Sequence, residues 1–129
     1  MIYKVKTHHD IADIKSKLEA KAKEVGFGVL GSYEFKKILE KKGFPIERDI
    51  VVYELCNPGG AQQALATIPE ISVYLPCRLS IYREDGLTVL STIGFEDILQ
   101  SVNVDDEFRA HMNEIFKTIK TLMHNLSLV

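Results

Sequence analysis

The fold is decided by residues 50–82, IVVYELCNPGGAQQALATIPEISVYLPCRLSIY. Ile50–Cys56 is a dense run of β-branched and aromatic residues, which predicts a largely buried strand. A helix is expected to begin next, because Asn57 can cap its first turn and Pro58 suits its first position. Apolar and polar residues alternate over 73–82, which predicts that the helix is followed by another strand, with one face toward the core. The stretch therefore predicts a strand, a helix and a strand in succession.

The elements that precede this stretch follow from the same patterns. We expect a strand over residues 2–6 and then a helix that Asp10 caps and Gly26 ends. A second strand is expected over residues 27–32. A short amphipathic helix then stops at Gly43. The N-terminal third of the chain thus predicts two strands and two helices.

The C-terminal part completes the predicted order. Asp85-Gly86 is typical of a hairpin turn, and the returning strand is expected over residues 87–93. A short helix is expected within 95–102, and Asp105 starts a long terminal helix. The order β-α-β-(α)-β-α-β-β-α predicts a single α+β domain over residues 1–129. Its mainly antiparallel sheet should have about five strands, with helices mainly on one face.

Composition and charge exclude several classes of function. The chain has 129 residues, of which 46% are hydrophobic and 26% charged, and its formal net charge is −2. Such a balance provides no long-range attraction for nucleic acid. No segment is apolar enough to span a bilayer, and the N-terminus lacks the apolar stretch of a signal peptide. We therefore expect a cytoplasmic protein that contacts neither nucleic acid nor membrane, and whose two cysteines are free thiols.

The first cysteine motif, Cys56-Asn57-Pro58, lies where a strand passes into a helix. A thiol beside a helix N-terminus meets free backbone N–H groups and the positive end of the helix dipole, which favour a thiolate. Gly59 and Gly60 would leave the backbone open to a close ligand. The competing interpretation is that Cys56 is a small buried hydrophobic residue, as free cysteine often is.

The second motif, Leu75-Pro76-Cys77, opens the next predicted strand. The alternation places Cys77 on the core face, while Pro76 cannot donate to a ladder, so an edge or a bulge is expected there. If the two thiols converge, Cys56, Asn57, Gly59, Gly60 and Cys77 would form a binding site for a small molecule, a sulfur-containing group or a soft metal such as Cu(I). One alternative is a thiol enzyme with Cys56 as nucleophile and Cys77 as resolving partner. The other is an interaction protein whose two cysteines are buried.

Other chemical groups make weaker candidates. His8-His9 follows the first strand and is expected to be exposed. Glu107, His111 and Glu114 share one face of the terminal helix and resemble half of a carboxylate–histidine metal site, but no matching set occurs on another helix. We expect this face to be solvated. No serine, lysine or glycine-rich motif indicates catalysis, and the sequence indicates no particular cofactor or metal.

Together the motifs resemble the bacterial and archaeal family called domain of unknown function 302. The resemblance covers about residues 1–125 and rests on Gly26-Phe27-Gly28-Val29, Cys56-Asn57-Pro58, Ala64-Leu65, Leu75-Pro76-Cys77 and Tyr82. It implies an α+β fold similar to that of the TATA-box-binding protein, with a curved antiparallel sheet that carries helices. It also implies a homodimer. It implies neither an activity nor nucleic-acid binding, because a fold does not transfer function.

Overall fold

An antiparallel sheet of five strands, in the order β1-β5-β4-β3-β2, organises the computed structural model, which describes residues 1–128. The elements are β1 (Ile2–Thr7), α1 (Ile11–Glu24), β2 (Gly28–Glu34), α2 (Phe35–Lys41), β3 (Ile50–Cys56), α3 (Pro58–Thr67), a 3₁₀ helix (Pro69–Val73), β4 (Cys77–Glu84), β5 (Leu87–Ile93), α4 (Phe95–Gln100) and α5 (Asp106–Ser127). All four strand pairings are antiparallel. The predicted α+β architecture is therefore confirmed.

The core lies on one face of the sheet. Val5, Leu90, Ile81 and Val51 are register neighbours on β1, β5, β4 and β3, and all four are buried. They join one continuous core with the apolar stripes of the two long helices, which comprise Ile14, Leu18 and Ala22 of α1 and Phe108, Met112, Ile115, Ile119, Leu122, Met123 and Leu126 of α5. Burial of these stripes supplies the main driving force for folding, because the apolar area they remove from water is large.

The strand predicted over residues 73–82 begins only at Cys77. The segment before it is the 3₁₀ helix, whose C-terminal Val73 has 78% of its surface exposed. Pro69 suits the start of this helix, since proline fixes φ and the first N–H needs no partner there. The Tyr74 N–H then donates to the Ile71 carbonyl at 2.9 Å. The prediction failed because apolar residues of the 3₁₀ turn continue the alternation of the strand by chance.

The expectation of a sheet edge at Pro76 is also wrong. Pro76 lies just outside β4, and β4 pairs with β3 on one side and β5 on the other. The two edges of the sheet are β1 and β2.

Of the two predicted ends of α1, the C-terminal one has the expected hydrogen bond and the N-terminal one lacks the expected side-chain cap. Asp10 precedes α1 and its carbonyl accepts from the Ile14 N–H at 3.2 Å, but its side chain caps no N–H group. The end of α1 is as predicted, since Gly26 has a φ of +83° and the following Phe27 N–H returns to the Ala22 carbonyl at 2.9 Å. Within residues 1–128, no helix combines the length and the apolar character needed to cross a bilayer.

Candidate functional site

An apolar cavity of about 240 Å³ opens at the end of the sheet where β3 meets α3. The opposite wall comes from α5, and the segment between the 3₁₀ helix and β4 closes one side. The lining residues are Phe27, Leu30, Leu55, Cys56, Asn57, Gly60, Ala61, Leu65, Ser72, Leu75, Pro76, Cys77, Phe95, Met112 and Ile115. None of these side chains carries a formal charge, so the cavity suits an apolar occupant.

The start of α3 positions one wall of the cavity. The Gly60 N–H donates to Asn57 Oδ1 at 3.0 Å, and the Ala61 N–H donates to the Asn57 carbonyl at 2.8 Å. Pro58 occupies the first helical position, where its missing N–H costs nothing. The predicted cap is therefore present, and it fixes the direction in which the helix leaves Cys56.

Gly60 has a packing role besides the one predicted. It is buried, and a methyl group at this position would overlap the Ile115 side chain. Glycine therefore lets α3 approach α5 closely, in addition to bordering the cavity. Gly59 is exposed and does not line the cavity. Gly60 thus borders the cavity and Gly59 does not, while a close approach of a ligand to the glycine backbone stays a prediction.

The two cysteine motifs meet at the cavity. Cys56 is the last residue of β3, and its neighbour Leu55 is the register partner of Cys77 at the start of β4. Both thiols are free, partly buried and part of the lining. Asn57 and Gly60 border the same cavity, so four of the five predicted site residues come together.

The electrostatic state of Cys77 limits the chemistry of the site. The pKa of the Cys77 thiol is raised from its ordinary value of 9.0 to about 11, chiefly by burial and to a smaller extent by the nearby Cys56 thiol. Cys77 is therefore a neutral thiol near pH 7. It packs against the core, as its predicted place on the core face requires.

Several wall residues were not predicted as site residues. Phe27 and Leu30 come from the start of β2, Phe95 from α4, and Met112 and Ile115 from α5. In the sequence they carry only the signal of core residues, at helical or strand spacing. Leu30 differs from the others only in the structure, where it lies at an irregularity in the β2–β3 register and stays 65% exposed at the cavity.

The histidine positions form no comparable site. Glu107 and Glu114 are exposed, and Glu114 pairs with Lys117 at 2.9 Å. His111 is partly buried, and its Nε2 atom has no hydrogen-bond partner among the residues described. Among residues 1–128, no three His, Cys, Asp or Glu side chains are arranged to hold a metal ion. His8 is exposed as expected, whereas His9 is partly buried and its carbonyl accepts from the Thr88 hydroxyl at 2.5 Å.

The fold and the cavity define a small α+β protein with two thiols in the wall of an apolar cavity. The chain belongs to the family described as Domain of unknown function DUF302, whose sequence model matches residues 3–126. It is similar to a solved structure described as the uncharacterized conserved protein DUF302 from Bacillus stearothermophilus, with a TM-score of 0.88 and 25% sequence identity. The similarity covers 98% of this chain and 97% of the other. No curated protein matches the sequence.

Proposed function

We propose that this protein binds a small apolar molecule in the cavity between Cys56 and Cys77. The observation that carries the proposal is the cavity itself, which has about 240 Å³ of space and an uncharged wall. For comparison, an engineered apolar cavity of about 150 Å³ holds benzene. An occupant larger than one aromatic ring therefore fits.

The exposed apolar side chains at the cavity support binding rather than simple packing. Leu30 and Leu65 line the cavity and yet keep 65% and 39% of their surface exposed. A ligand that covers them would remove apolar surface from water at about 25 cal/mol per Å². A cavity that was only a packing defect would gain nothing from leucines placed at its surface.

The state of Cys77 favours this function over a site in which the Cys77 thiolate is a metal ligand or a nucleophile. Because the Cys77 pKa is raised to about 11, only about one molecule in ten thousand carries a Cys77 thiolate near pH 7. A soft-metal ligand or a nucleophile needs the thiolate. Cys77 is thus better suited to form part of an apolar wall, with Cys56 beside it.

The test is titration of the protein with phenylnaphthylamine, a neutral fluorophore that brightens in apolar surroundings. We expect saturable binding to the wild-type protein and a loss of at least tenfold in affinity in Ala61→Leu, whose larger side chain would fill the cavity. Ala66→Leu is the matched control, because Ala66 lies on the same helix but is exposed and outside the lining. Equal binding by both variants and the wild type would refute the proposal.

We further infer that the protein is a cytoplasmic homodimer. Two free cysteines in so short a chain suit a reducing compartment. For the dimer, the edge strand β2 offers an unpaired side with Leu30 and Tyr33 exposed, and such edges invite pairing with a second copy.

A further inference from the structure

A second cavity, of about 160 Å³, adjoins the first at the start of β4. Cys77 and Phe95 line both cavities, so these two side chains lie between them. The second cavity is the more polar of the two, with Tyr74, Arg78 and Thr92 in its wall. Together the two cavities reach the lower end of the range of roughly 300–1,000 Å³ that is usual for ligand sites.

The charge in these walls is of one sign. Among the described residues that line either cavity, Arg78 alone has a charged side chain. Its guanidinium is 66% exposed and approaches the Glu54 carboxylate at only 3.8 Å, beyond hydrogen-bond distance. Glu54 Oε1 instead accepts from the Tyr33 hydroxyl at 2.7 Å. Arg78 therefore keeps donors for an anionic group.

The partition between the cavities is uncharged. Cys77 is a small side chain and a neutral thiol near pH 7, and Phe95 beside it is apolar, so the partition presents no charge to an apolar chain. On the far side lie Val73 and Ile93, which are both exposed and apolar. Apolar side chains thus border both cavities, and Arg78 is the charged residue in the wall of the second.

We propose that the ligand is an elongated amphiphile, with an apolar chain in the first cavity and an anionic end group, carboxylate or phosphate, at Arg78 in the second. The proposal rests on the proposed function and adds the ligand's charge and shape. A cationic end group would meet the guanidinium and bind worse than a neutral one.

The test is displacement of phenylnaphthylamine by a matched series of ten-carbon chains: decanol, decanoate, decyl phosphate and decylammonium. For the wild-type protein we expect one or both anions to bind about fivefold more tightly than decanol, since the ion pair is exposed, and decylammonium to bind more weakly. Arg78→Gln should remove the preference for the anions and leave decanol unchanged. Arg48→Gln, which removes the same charge from an exposed position outside both linings, is the control.

The outcomes separate this inference from the proposed function. Preference for decanoate alone or for decyl phosphate alone, lost in Arg78→Gln, supports the inference and identifies the end group. Equal binding of all four chains, or an anion preference that Arg78→Gln keeps, overturns the inference while the apolar cavity still binds. Failure of phenylnaphthylamine itself to bind overturns the proposed function.

Discussion

Slow alkylation of Cys77 is the most direct consequence of its place in the cavity wall. The relevant perturbation is Cys56→Ser, which leaves Cys77 as the single thiol of the chain. Burial is the larger cause of the raised pKa, so most of the rise from 9.0 to about 11 should persist when the smaller effect of Cys56 is removed. Two pKa units correspond to about 100-fold less thiolate at any pH well below 9.

The assay compares alkylation of Cys77 by iodoacetamide in the folded Cys56→Ser variant and in the same variant unfolded in urea. Because only the thiolate reacts, we expect the folded protein to react about 50- to 100-fold more slowly near pH 8. Its rate should continue to rise about tenfold per pH unit beyond pH 9, where the unfolded thiol begins to level off. Mass spectrometry of the intact protein measures both rates.

Two results would refute this reasoning. If folded Cys77 reacts as fast as the unfolded thiol at pH 8, its sulfur is neither buried nor held neutral. If the folded rate levels off near pH 9, the protection is only steric and the pKa is not raised. In either case the argument that burial in the cavity wall raises the Cys77 pKa would be lost.

The remaining predictions concern packing, alkaline stability and assembly. Gly60→Ala should lower the free energy of unfolding by about 1–3 kcal/mol, because its methyl group overlaps Ile115. The control Gly59→Ala, at an exposed position, should change this free energy by about 0.5 kcal/mol or less. Urea denaturation measures both. Folding raises the pKa of Cys77, so as the pH rises the unfolded state loses the Cys77 proton before the folded state does. Between pH 9 and 11 the free energy of unfolding of the wild type should therefore fall by about 2 kcal/mol more than that of Cys77→Ala, measured in the same assay. A dimer formed through β2 should dissociate in Leu30→Glu, which sedimentation at micromolar concentration would detect; a monomeric wild type would contradict the expected dimer.

Local sequence patterns were sufficient for most of the fold. The strand Ile50–Cys56 and the start of α3 at Pro58 agree with their predicted bounds, because strand periodicity, the Asn57 cap and the proline are local signals. The same kind of signal failed over residues 73–76. There the side chains alternate as in a strand, but the backbone forms the end of a 3₁₀ helix and a connection. Alternation over four residues is too short to distinguish the two.

The candidate site was only half predictable. The sequence identified Cys56, Asn57, Gly60 and Cys77 as chemically notable, but spacing alone could not show that they border one cavity. The packing role of Gly60 could not be predicted, because its partner, Ile115, lies 55 positions further along the chain. A glycine that permits close helix packing and one that opens the backbone to a ligand have the same local sequence.

The sequence by itself determined the α+β class, the family and the positions of the two thiols, since each depends on residue type and short-range spacing. The tertiary structure decided that β4 lies inside the sheet, that α5 lines the same cavity as Cys56, and that the pKa of Cys77 is raised. These properties depend on which distant segments exclude water from a given side chain. Burial of that kind arises only when the helices pack on the sheet.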